Sequence, residues 1–175
     1  MKELGISDSI QLTRIHAVQW YGFCDSFDLA GQTIITGVYG CGKTGIIDLI
    51  QTVLLGHPER ESRYNLSLAE IGSSGREDKR NLRGYCLQDL NLKDHGHPVY
   101  ARGSSRTYIA LEFTWPNNKR RETWGLRVEY ISVGSDADIS YWKIPARVEF
   151  SNFLGDDETP LSADEWEQFL YNYGS

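Results

Sequence analysis

Residues Gly37-Val38-Tyr39-Gly40-Cys41-Gly42-Lys43-Thr44, with Gly45 after them, match the pattern G-x-x-x-x-G-K-[ST] in full. Each part of that spacing has a physical task. Glycines at 37, 40 and 42 let the chain turn so that successive backbone N–H groups converge on phosphate oxygens. Lys43 adds a point charge for the β- and γ-phosphates, and the Thr44 hydroxyl is a hard oxygen ligand suited to Mg²⁺. The pattern points to a nucleotide site.

Such a loop works only if a strand delivers it and a helix leaves from it. Before it stands Thr33-Ile34-Ile35-Thr36, a β-branched run that reads as a short buried strand. After it, residues 43–55 carry Ile46, Ile47, Leu49, Ile50, Val53 and Leu54 at helical spacing, and Gly56 and Pro58 stop the helix. That helix aims its positive end at the phosphates. Upstream, residues 10–29 read as two strands with a bend at Gly22, apolar at Ile10, Leu12, Ile15, Ala17, Val18, Phe27 and Leu29.

Downstream, residues 56–76 lack periodicity and read as one long connection. Residues 77–90 read as a helix with Leu82, Tyr85, Cys86 and Leu90 on one side, and 91–105 as loop. Three strands come next at 107–115, 123–131 and 139–150, the last interrupted by Pro145, with the first two joined by an exposed turn at PNNKRRE. Ser162 with Glu165 forms a capping box that opens a helix over about 162–172. The fold class expected is α/β, a P-loop NTPase with a mixed sheet and a large antiparallel component.

Other candidates carry less chemistry. His95 and His97 have no third His or Cys nearby and read as a polar loop rather than a metal pair. Cys41 reads as a small filler in the loop, with a pKa that the helix end would lower. Glu112 reads as a surface residue facing its cross-strand neighbour. Trp20, Trp115, Trp124, Trp142 and Trp166 read as packing residues.

Composition narrows the class. With 24 Asp and Glu against 18 Lys and Arg, the net charge is −6, which argues against a chain coated for nucleic acid. Charge is unevenly spread. From Glu149 onward there are seven acidic residues and no Lys or Arg, whereas Arg60, Arg63, Arg76, Lys79, Arg80 and Arg83 stand close together. Acidic neighbours dilute that basic stretch into a mixed solvated face. Three cysteines without a C-x-x-C pair, no apolar run of membrane length and no signal-like start give a single soluble domain, expected in a reducing cytoplasm.

Past the loop, three motifs are absent from the sequence. No N-K-x-D base-reading motif occurs, no apolar strand ends in Asp or Asp-Glu, and no LSGG-type signature is present. Hydrolysis needs a carboxylate that polarises water, and none stands out here. Two strands before the loop, the aromatic stretch Trp20-Tyr21-Gly22-Phe23 and a helix ending in LLG resemble the N-terminal half of an SMC-like or Rad50-like ATPase head. Arg80-Asn81-Leu82-Arg83-Gly84-Tyr85, Tyr108-Ile109-Ala110-Leu111-Glu112-Phe113, a Gly-Leu-Arg-Val strand and Trp142 resemble MukB-type condensins and the JetC-type SMC subunits of Wadjet anti-plasmid systems.

The resemblance implies an N-terminal lobe spanning 1–175, completed by a C-terminal half-head that returns after a coiled coil. It implies ATP and Mg²⁺ as ligands, a second head as homodimer partner, kleisin-type and nuclease subunits, and DNA as the substrate. A glutamine that ligates the metal, Gln88 or Gln168, belongs to the same expectation. Tyr39 departs from the family, which usually has Asn there; the cradle being backbone, this bears on hydrolysis more than on binding. Two rivals stay open: a self-contained P-loop kinase, with Arg60–Arg83 as its lid, and a non-enzymatic nucleotide-gated interaction module.

Overall fold

The computed structural model describes residues 9–56, 81–116 and 120–173. A five-stranded sheet organises it, with strand order β2-β1-β5-β6-β7, and among the described residues it is antiparallel throughout rather than the mixed sheet expected. Its strands are β1 (Gln11–Trp20), β2 (Phe23–Asp28), β5 (Ser105–Thr114), β6 (Arg121–Tyr130) and β7 (Asp138–Ile144). A separate hairpin pairs β3 (Asp89–Asp94) with β4 (His97–Tyr100). The helices are α1 (Lys43–Leu55), α2 (Leu82–Leu87) and α3 (Ala163–Tyr173).

Alternation along the strands divides the core into two layers. Ile15 and Ala17 of β1, Ile109 and Leu111 of β5, and Leu126 and Val128 of β6 face α1 and α2. Val18, Tyr108, Ala110, Trp142 and Ile144 face the other way, where Phe153 and α3's Trp166 cover them. On that side Gly125 pairs with Trp142, and a Cβ at Gly125 would stand 2.3 Å from the indole. The capping box holds as expected: the Ser162 N–H donates to Glu165 at 2.7 Å, and the Glu165 N–H returns to Ser162 Oγ at 3.4 Å.

The alternation breaks near the end of β1. Gln19 has φ +53, and the β1–β2 register slips between Val18 and Trp20. That bulge turns Trp20 onto the face of Ile15 and Ala17, toward α1.

Several expectations need correction. The run 33–36 is not a strand: no sheet residue pairs with it, and Ile34 is 84% exposed. β-branched residues favour a strand only where a neighbour offers backbone partners, and among the described residues none pairs with this run. Of the helix expected over 77–90, residues 77–80 lie outside the described residues, and the rest holds the six-residue α2, because Gln88 takes φ +60 and closes it; Leu90 is exposed in β3. The expected loop at 91–105 contains the β3–β4 hairpin, turned by His95 and Gly96, both at positive φ. The strand expected over 139–150 ends at Ile144, before Pro145, and a 3-10 helix comes after it at Phe150–Phe153. Glu112 does face across the strands, but it is buried and accepts from Thr13 Oγ1 at 3.0 Å. The 56–76 connection beyond Gly56, the basic positions 60–80 and Asn117 to Lys119 lie outside the described residues.

Candidate nucleotide-binding site

Residues 37–42 form an exposed loop on the N-terminal end of α1. Gly42 is the N-cap at φ +93, ψ 7, with no side chain capping the helix and no acidic residue in its first turn. The first N–H groups of α1 therefore point outward with no carboxylate competing for them, the arrangement that attracts a phosphate. Lys43 folds back over the loop. Its Nζ donates to the carbonyl oxygens of Gly37 and Val38, each at 2.8 Å, and lies 3.5 Å from Cys41 Sγ. The ammonium thus ties the start of the loop to its end and keeps its charge at the mouth of the N–H cradle.

Close contacts explain two of the glycines. A Cβ at Gly37 would fall 2.5 Å from Cys41 Sγ, and one at Gly42 2.5 Å from Phe23 Cζ. Cys41, read as a small filler in the loop, is exposed, with its sulfur lying against Gly37 and Lys43. Val38 and Tyr39 project into solvent, Tyr39 at 83% exposure. Thr44 and Lys43 are half-buried in the first turn of α1.

Aromatic residues hold that turn from below. Trp20 is fully buried, and its Nε1 donates to the Gly45 carbonyl at 2.8 Å. Its ring stacks on Tyr85 of α2 at 4.4 Å and 7°, and the Tyr85 hydroxyl donates to buried Asp48. Arg102 donates from Nη1 to the Tyr21 carbonyl at 2.9 Å and to that of Cys86 at 3.3 Å, fastening the β1–β2 turn to α2. Burial lowers the Arg102 pKa and raises that of the Cys86 thiol to about 12, so Cys86 is a packing residue. Of this support, the sequence reads Tyr85 only as part of a helix face and gives no signal for Asp48, because their contact joins residues 37 positions apart.

The two glutamines part company. Gln88, at the end of α2, lies beside Gly22 in the β1–β2 turn, the Nε2 atom 3.8 Å from where a Gly22 Cβ would be. Gln168 is exposed on α3, across the sheet from α1, so it does not share a site with Thr44. His95 and His97 are exposed in the hairpin, and among the described residues no group of three His, Cys, Asp or Glu could hold a metal. The donor set nonetheless suits Mg²⁺ carried in on a nucleotide. Such an ion would keep most of its waters and take phosphate oxygens, and the Thr44 hydroxyl is the side-chain ligand that the loop would offer it.

Residues 12–70 match a family model described as the P-loop containing region of AAA domain (AAA_29). The matched stretch takes in most of β1, all of β2, the loop and α1, and ends before β5 to β7. No curated protein matches the chain. The glycine loop and the cradle ahead of α1 fall inside this match: residues 12–70 carry a P-loop containing region of AAA type.

Proposed function

We propose that this chain is the ATP-binding N-terminal half of an SMC-like, condensin-type ATPase head that binds Mg–ATP and turns it over only when a C-terminal half-head and a second head join it. One observation carries the reading. The segment leading into the P-loop, with Ile34 and Ile35, is apolar, β-branched and exposed, and it is hydrogen-bonded into no sheet. On α1, Ile47, Leu54 and Leu55 are exposed as well. A strand that delivers a P-loop normally lies inside a sheet whose neighbours bury it. Here the antiparallel sheet covers one face of α1, and among the described residues nothing forms the second layer that a complete nucleotide domain needs.

Chemistry points the same way. The loop and Lys43 can bind and orient a triphosphate, and Thr44 can share its magnesium, but no apolar strand of the sequence ends in the carboxylate that would orient an attacking water. In this reading the missing carboxylate and signature residues arrive on the second half. DNA is the eventual substrate, kleisin-type and nuclease subunits are the assembly partners, and anti-plasmid defence in the cytoplasm is the setting; all three rest on the likeness to MukB-type and Wadjet SMC subunits.

The test is steady-state phosphate release by the purified chain, alone and mixed with a C-terminal half-head segment. The expected result is ATP binding without turnover for the chain alone, and turnover rising steeply with concentration for the mixture. Robust release by the chain alone, independent of concentration and abolished by Lys43→Ala, overturns the reading in favour of a self-contained enzyme.

A further inference from the structure

Two polar contacts on the first turns of α1 come from the same pair of stacked rings. Trp20 reaches the Gly45 carbonyl only because the bulge at Gln19 turns it to that face. Tyr85, stacked on it, places its hydroxyl on Asp48. Phe23 adds a third ring, against Gly42 and Gly45. Gly45 comes directly after Thr44 and Asp48 lies about one helical turn further on, so the contacts grip the turn that offers its N–H groups to phosphate and the turn behind it.

Apolar packing alone would bury α1 equally well with leucines, because the hydrophobic effect has no direction. A buried indole N–H and a buried phenol cost free energy unless they are paired. Both are paired, and both pairs fix the rotation and axial position of α1 rather than merely its burial. Phosphate binding by backbone donors tolerates only about 0.5 Å of misplacement. We propose that Trp20 and Tyr85 are positioning residues for phosphate binding, holding the first turn of α1 where its N–H groups and Lys43 converge. The proposal rests on the nucleotide-binding reading of the loop and adds to it a grip exerted from β1 and α2.

The experiment compares wild type, Tyr85→Phe and Trp20→Phe, each keeping a ring in place while losing one donor. Ile144→Val, in the core layer across the sheet, serves as a control of similar stability loss. Calorimetric titration with Mg–ATP and with Mg–tripolyphosphate is run well below every melting temperature. The expected result is a loss of roughly tenfold in affinity in both ring variants, the scale of one hydrogen bond. That loss should be equal for both ligands, with the control unchanged. Unaltered binding in the ring variants, or a loss matched by Ile144→Val, overturns the positioning role. So does a loss confined to ATP, which would make the rings a nucleoside contact. Should Tyr85→Phe not fold, Trp20→Phe decides alone. If wild type binds neither ligand, the nucleotide reading itself falls and takes this one with it.

Discussion

The ring of Phe23, the first residue of an edge strand, lies directly over Gly42, the last loop residue before α1, so close that a Cβ there would be 2.5 Å from Cζ. Sheet and phosphate loop meet without an intervening side chain. Gly42→Ala therefore faces two penalties, a left-handed backbone at φ +93 that costs about 1–2 kcal/mol and a clash with the ring. The expected outcome is a lower urea midpoint and loss of measurable ATP binding. Adding Phe23→Leu should recover part of the midpoint and little of the binding, because the strain at φ +93 persists.

Lys43 bonds to two loop carbonyls and remains partly open to solvent. Lys43→Ala should leave thermal stability nearly unchanged. It should weaken Mg–ATP binding by about 1.5–3 kcal/mol, roughly ten- to a hundredfold, the size of a charge-assisted phosphate contact. Calorimetric titration of both proteins checks this; equal affinities would remove Lys43 from the site.

His16 is fully buried in β1, its ring 5.2 Å from Phe153. Burial, aided by the Arg14 charge and opposed by Glu149 and Asp28, holds its pKa down to about 4. The fold thus favours the neutral ring. Its contribution is complete above the unfolded value of about 6.5 and is lost as pH falls from there toward 4. The gap corresponds to about 3 kcal/mol on the acid side. His16→Phe should flatten that part of the stability profile, measured by urea unfolding between pH 7 and pH 4. A profile identical to wild type would place the acid sensitivity elsewhere.

At Gly125 in β6 a methyl group would stand 2.3 Å from Trp142 and 2.6 Å from the Ile109 carbonyl oxygen. Gly125→Ala must push the indole out of its cluster with Phe153 and Trp166 or distort β5. A loss of about 3 kcal/mol is expected, at the upper end for overpacking. Thermal unfolding followed by near-ultraviolet circular dichroism reads both the stability and the tryptophan cluster. An unchanged melting temperature would contradict this packing.

Ile34 is exposed and unpaired, so Ile34→Lys should alter the stability of the isolated chain by less than about 0.5 kcal/mol. Self-association of the chain should fall, as light scattering would show. In the assembled head the same change should block joining of the second half. Normal assembly would mean that this segment stays at the surface.

Local patterns carried much of this protein. The glycine spacing of 37–42, the Lys-Thr pair, the 3.6-residue period of α1, the Ser162–Glu165 box and the alternation of β1, β5 and β6 depend on residues within a few positions of one another. They are legible in sequence for that reason. Tertiary structure decided what depends on distant neighbours. Ile34 and Ile35 have strand chemistry but pair with no strand among the described residues, and a strand exists only as half of a pair. One inserted residue at Gln19 chose the face of Trp20, and with it the contact to Gly45. Gln88 and Gln168 look alike in sequence, yet the sheet puts one beside the β1–β2 turn and the other behind it. Asp48 and Tyr85, 37 residues apart, meet only because two helices pack on one face of the sheet. Spacing along the chain sets which groups a short segment can present; long-range strand pairing, whose entropy no local pattern records, sets where they converge.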